Sequence, residues 1–281
     1  MPIESENGVK IEHLTDEIQF GEGPVWSSAL NALLFSDVHG AKIYKWSEQT
    51  GLTVWWNEGK KPNGLALTPD GQTLIVCCYS ERELISINVV SKRWKTLADQ
   101  FDGRPFNNVN DVALDAEGNI FFTDPRWGAR PDDLQGIYCL PSSGTLRLAA
   151  RLDHQPNGVA LSPDQQWLFV ARSGAHDIWR FRRIPGGRLT DGARWATLEP
   201  GAEPDGMTID SRGNLYVAQA GNNKLAVIGA DGTVQRLIPL PCPFPTNCAF
   251  QGGTNDTRLF VTHGGRPGRH PGALLRLTFD R

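Results

Sequence analysis

The chain has 281 residues, 40% hydrophobic and 21% charged, enough for a sizeable core without disulfide staples. A formal net charge of −3, with no Lys/Arg run, argues against nucleic acid or an anionic membrane as the main partner. The polar, acidic start lacks a signal-peptide apolar region and no segment approaches membrane-spanning length, so the cytosol is the expected location.

In chain order the first predicted element is an isolated strand, GVKIEHL from Gly8. Six mutually similar segments follow: GEGPVWSSALNALLFSD from Gly21, KPNGLALTPDGQTLIVCC from Lys61 and VNDVALDAEGNIFFTD from Val109, then QPNGVALSPDQQWLFVAR from Gln155, EPDGMTIDSRGNLYVAQ from Glu203 and FPTNCAFQGGTNDTRLFVTH from Phe244. The polar positions that align across them are Glu22, Asn63, Asn110, Asn157, Asp205 and Thr246, at intervals of 41, 47, 47, 48 and 41 residues. That spacing is the period of a four-stranded propeller blade.

Each segment predicts a short inner strand (LALT, VALD, VALS, MTID), a turn rich in Pro, Asp and Gly, and a second strand such as TLIVCC or IFFTD. Third strands follow at KIYKW, LISIN, GIYCL, DIWRF, LAVIG and LLRLT, and outer strands at LTVWWN, RWKTLA, LRLAAR, RWATLE and VQRLIP. The sixth repeat reaches the chain end without an outer strand. Pairing GVKIEHL with LLRLTFD supplies it, closes the ring and hides two open edges. The expectation is therefore all-β: one six-bladed β-propeller domain over 1–281, four antiparallel strands per blade. Intervals too short and too rich in Gly and Pro for helices argue against an α/β fold.

The five cysteines are odd in number and form no CxxC pair. Cys77 and Cys78 point to opposite faces of one strand, as reduced structural residues do.

All six polar anchors begin an inner strand, so a closed ring brings them to one end of the central channel. Glu, three Asn, Asp and Thr each offer a side-chain oxygen, a donor set that suits a hard divalent cation such as Ca²⁺. Two carboxylates on one axis also call for a positive charge between them. Asn-Gly and Asp-Gly are ordinary turn formers as well, but Glu22 is not. Antiparallel second strands return to the same face, so their ends are expected to wall a pocket. These ends carry Asp37, His39, Tyr79, Asp124, Arg126, Trp127, Arg172, His176, Asn222 and His263, with DPRWG and HGGRPGRHPG the segments best placed to reach over it.

Through EGPVW with Glu22, VNDVALD-x-x-GNIFFTDP with Asn110, PNGVALSPD with Asn157 and PDGMTID with Asp205, the chain resembles the senescence-marker-protein/gluconolactonase/luciferin-regenerating-enzyme family. The resemblance runs from GEGPVW to the sixth blade. It implies a six-bladed propeller with one divalent ion held by Glu22, Asn110, Asn157 and Asp205, most simply Ca²⁺, with Zn²⁺, Mn²⁺ or Mg²⁺ as alternatives. It also implies hydrolysis of a small-molecule lactone, with Asp205 as the base for water or as the nucleophile. Candidate substrate contacts are Asn63, Arg104, Asn108, Asp124 and Trp127. Family members often place an Arg shortly before the blade-three Asn; here Arg104 precedes Asn110 by six residues, with Asn107 and Asn108 closer. Two other readings use the same ring: a phosphotriesterase, and a non-catalytic binding propeller. GxSxG and HExxH are absent.

Overall fold

The computed structural model describes residues 3–6, 8–128, 134–142, 144–266 and 268–280, with side chains from residue 8 onward. Six antiparallel sheets surround one axis. The first blade comprises Gly21–Ser27, Ala32–Asp37, Lys42–Ser47 and Gly51–Trp56, from the axis outward. The inner strands of the next five are Pro62–Leu67, Val112–Leu114, Pro156–Leu161, Glu203–Ile209 and Pro245–Phe250. Each inner strand packs against those of both neighbouring blades, which closes the ring.

Alternation along the strands explains the core. Apolar side chains such as those of Leu33 and Phe35 face one neighbouring blade, and those of Leu34 and Ile43 face the other. The core therefore divides into six clusters, one between each adjacent pair of blades, rather than a single central mass.

The N-terminal strand Val9–Ile18 pairs antiparallel with Gly272–Phe279, as the missing outer strand required. A further strand, Ile3–Glu6, lies outside it, so the sixth blade has five strands where four were expected. Two other departures are small: a two-residue hairpin, Gln100–Phe101 with Arg104–Pro105, and one 3-10 turn at Ser173–Ala175. None of the five cysteines forms a disulfide among the described residues, and four of them are buried. Among the described residues no helix is long and apolar enough to cross a membrane.

In four blades the inner-strand register slips just after the pairing of Glu22, Pro62, Pro156 or Pro204. Such a bulge bends the strand and re-aims the side chain at its apex. Asn63, Asn157 and Asp205 sit within these bulges and Glu22 at the edge of one. The sixth blade bulges differently, between Pro245 and Asn247, and its anchor has a different fate.

Candidate metal centre and substrate cavity

Glu22, Asn63, Asn110, Asn157 and Asp205 line one cavity of about 500 Å³ at the end of the axis. All five are buried. Thr246, expected beside them, does not line the cavity. Its Oγ1 donates to the Gly21 carbonyl at 2.6 Å and lies 3.0 Å from Thr262 Oγ1, so it fastens the seam between the last and first blades. Ser36 and Thr123 make the equivalent bonds elsewhere, to the carbonyls of Asn63 and Asn157.

Beneath this polar layer lies a second one that sequence reasoning missed. The residue after each anchor is glycine in four blades, Gly23, Gly64, Gly158 and Gly206, but Asp111 and Asn247 in the other two. A Cβ on Gly64 would collide with Asp111, and one on Gly206 would overlap the Asn247 amide. The missing side chains leave room for these two to fill the axis. Asn247 Nδ2 donates to Glu22 Oε2 at 3.1 Å and its Oδ1 accepts from Cys248 N–H at 2.8 Å. Asp111 Oδ2 accepts from Val159 N–H at 3.1 Å, and the Asn247 side chain also bonds to Asp111. The two residues also line a smaller cavity, about 320 Å³, whose lining includes Val25, Val112, Val159 and Cys248 farther along the inner strands.

Three carboxyl groups are thus buried near one axis, and each is pushed upward. Burial, then the charge of Asp111, raises Glu22 from an ordinary 4.5 to about 8, against hydrogen bonds from Gly23 N–H and Asn247. Burial raises Asp111 from 3.8 to about 7. Asp205 is raised well above its ordinary value by burial and then by Glu22 and Asp111. A cation beside Glu22 and Asp205 reverses this logic and favours their ionised forms.

The amides fit such an ion. Asn157 Nδ2 donates to Ser173 Oγ at 3.1 Å, the Ser173 hydroxyl donates to the Pro204 carbonyl at 2.8 Å, and the Asn157 side chain also bonds to Asp205. That leaves Asn157 Oδ1 buried without a partner, and Asn63 Oδ1 is in the same condition. Orphaned buried oxygens beside paired carboxylates make an oxygen-only donor set. Among the described residues no three His, Cys, Asp or Glu side chains are grouped to hold a metal. Any ion here therefore needs the asparagine oxygens as well as Glu22 and Asp205.

The five proposed substrate contacts divide. Asn63 and Trp127 line the cavity, Trp127 at its open rim with 42% of its surface exposed. Arg104, Asn108 and Asp124 do not. Arg104 lies in the exposed hairpin, drawn away by its pairing with Phe101. Asp124 is buried and accepts from the N–H groups of Asn107 and Asn108 at 3.0 and 2.8 Å, so it clamps their loop. Asn108 Nδ2 donates to the Tyr79 carbonyl at 3.3 Å.

Of the other second-strand ends, His39 and Tyr79 reach the cavity wall. Asp37 instead accepts from the N–H groups of Gln19, Phe20 and Gly40. Arg172 pairs with Asp177 and Asp153, and Asn222 Nδ2 donates to Glu199 at 2.6 Å. His176 Nδ1 is bonded to the Ala202 carbonyl, and His263 is buried behind the wall. Of the HGGRPGRHPG segment Arg266 lines the cavity; Pro267 lies outside the described residues. Phe20, Phe244 and Glu203 were missed because they precede the repeated anchors rather than following the second strands.

Comparison with known proteins agrees with this architecture. A gluconolactonase of Zymomonas mobilis is 30% identical, over 90% of this chain and 78% of its own. The diisopropyl-fluorophosphatase of Loligo vulgaris is 31% identical, over 89% and 87%. The structure of a gluconolactonase from Xanthomonas campestris superimposes with a TM-score of 0.85 at 28% identity, covering 98% of this chain and 91% of that one. The model of the SMP-30/Gluconolactonase/LRE-like region matches residues 20–265, and the chain belongs to that family.

Proposed function

We propose that this chain, folding as one unit in the cytosol, is a lactonase that opens the ring of a sugar-acid lactone with one divalent cation, most simply Ca²⁺, held by Glu22, Asn110, Asn157 and Asp205. The observation that carries the reading is the buried cluster of two carboxylates and partnerless amide oxygens at the base of a cavity sized for a small molecule. The lactonase relatives support the reaction class.

When bound, the cation supplies Lewis-acid polarisation of the ester carbonyl. Asp205 accepts a proton from water at a carboxylate oxygen, the water oxygen bonds to the carbonyl carbon, and the ring C–O bond breaks. Asp205 then returns the proton to the departing alkoxide, giving a hydroxy acid. Attack by Asp205 itself is the alternative. In this reading Asn63 and Trp127, which line the cavity, orient the ring, while Asn247 holds Glu22. A phosphotriesterase activity is the second reading, favoured by the similarity to the squid enzyme.

A pH-indicator assay across aldonolactones, plain γ-lactones and an organophosphate tests the proposal. Chelation is expected to abolish lactone opening, and Ca²⁺, Zn²⁺, Mn²⁺ or Mg²⁺ to restore it to different degrees. Glu22→Gln and Asp205→Asn are each expected to lower kcat/KM by about 100-fold or more, and to weaken Ca²⁺ binding measured calorimetrically. Wild-type activity in both variants would remove the mechanism, and inactivity of the native protein across the whole panel would favour a binding propeller.

A further inference from the structure

Beside the main cavity lies a second one of about 480 Å³, and His39 and Arg266 line both. Its remaining wall includes Ile18, Gln19, Arg269 and His270. Two arginines and two histidines therefore line a space whose described lining contains no carboxylate. Neither Arg266 nor Arg269 has an ion-pair partner among the described residues.

The local fold holds this arrangement. Arg266 N–H donates to the His270 carbonyl at 2.9 Å, and the N–H groups of Arg269 and His270 return to the Arg266 carbonyl at 2.9 and 3.1 Å. Gly265 N–H donates to the Gln19 carbonyl at 2.9 Å, which ties the arm to the chain ahead of the first blade. The Arg266 guanidinium lies 5.1 Å from the Phe244 ring centroid, and Phe20 sits between Phe244 and His39 at centroid distances of 6.2 and 4.9 Å. The Asp37 carboxylate accepts from three backbone N–H groups and forms no ion pair with either arginine among the described residues. Glu203, the remaining carboxylate on the main wall beyond Glu22 and Asp205, borders only the main cavity.

From this we propose that the side cavity is an anion-binding subsite, so that the preferred substrate is a lactone bearing a carboxylate or phosphate on its exocyclic carbons. The inference rests on the lactonase reading of the main cavity. A ring seated over Glu22 and Asp205 passes its exocyclic arm between His39 and Arg266, where guanidinium forks suit planar or tetrahedral oxyanions. Neutral lactones use the axial site alone.

Steady-state kinetics with glucono-1,5-lactone, glucaro-1,4-lactone and 6-phosphoglucono-1,5-lactone tests this. The charged substrates are expected to show kcat/KM about tenfold or more above the neutral one, the gain one charge-assisted contact supplies. Arg269→Gln, which alters only the side cavity, is expected to remove most of that gain through KM while leaving the neutral lactone within twofold. Arg266→Gln is expected to lower the charged-to-neutral ratio in the same direction, and 0.5 M NaCl to compress it. Preference between the carboxylate and phosphate substrates identifies the arm. Equal kcat/KM for charged and neutral lactones, or equal losses on all three in Arg269→Gln, would overturn the subsite. Should none of the lactones turn over, the lactonase reading fails separately. Calorimetry with glucarate against gluconate then decides the subsite, expected to favour glucarate in the native protein and not in Arg269→Gln; no difference between the two acids overturns it.

Discussion

Among the described residues the Asn247 side chain bonds to both Glu22 and Asp111, and it occupies space that glycine at position 206 leaves open. Removing its amide takes one of two hydrogen bonds from the buried Glu22 Oε2, which keeps the Gly23 N–H. Loss of a hydrogen bond to such a group costs about 1.5–3 kcal/mol, so Asn247→Ala is expected to lower Tm by roughly 2–4 °C for each kcal/mol lost. Gly206→Ala is expected to lower Tm at least as far, because its Cβ overlaps the amide itself. Differential scanning calorimetry of both variants checks the pair. A Tm unchanged in Gly206→Ala would show that the axis tolerates a methyl group, contrary to this packing. Glu22 was legible in the sequence because a glutamate has no business in a turn. Asn247 was not, because Thr-Asn before a strand looks like any other turn pair.

The N-terminal strand Val9–Ile18 does the work of an outer strand for a blade whose other members lie near the opposite chain end. Val9 and Ile11 are buried against Leu275 and Leu277, and Arg276 pairs with Glu12 across the seam. Deleting residues 1–18 exposes the edge of Gly272–Phe279 and leaves the core between the last and first blades without Ile18. The truncated chain is expected to lose its near-UV circular dichroism and to associate, measured by sedimentation velocity. A monomeric, cooperatively folding truncation would contradict closure by this strand. The sequence pattern located nearly every strand, since period-two alternation bounded by Gly, Pro and Asp is a local signal. It missed the outermost strand Ile3–Glu6, which caps an edge already closed, and it shortened Arg188–Thr197, whose polar surface hides the alternation.

For the molecule as a whole, the axial carboxylates couple stability to pH and to cations. In the unfolded chain Glu22 and Asp111 titrate near 4.5 and 3.8, whereas in the ion-free fold they are raised to about 8 and about 7. Between those limits the folded state binds more protons than the unfolded one, so stability falls as pH rises. Below about pH 4 both states are protonated at these groups and the stabilising contribution is fully present. It is lost as pH passes 7 to 8. In chelator, Tm is therefore expected to decline from pH 5 to pH 8. With saturating Ca²⁺ the decline is expected to flatten, because the ion binds only the folded ring and favours the ionised carboxylates. Parallel Tm curves with and without Ca²⁺ would mean that the axis holds no cation.

Six repeats with a regular spacing were enough, from sequence alone, to specify blades, strand order, ring closure and five of the residues that meet at the axis. Those features depend on local alternation, turn chemistry and the geometric fact that equivalent positions on a closed ring converge. The tertiary structure decided which neighbours fill the remaining space. Asn247 and Glu22 bond across 225 positions of chain, Thr246 turns to the blade seam through a bulge found only in its own blade, and Asp124 and Asp37 are drawn into loop clamps. The basic side cavity likewise joins Gln19 and His39 to an arm near the other end of the chain. Such contacts arise only when the first and last blades are brought together, because ring closure rather than local propensity determines which side chains share a wall.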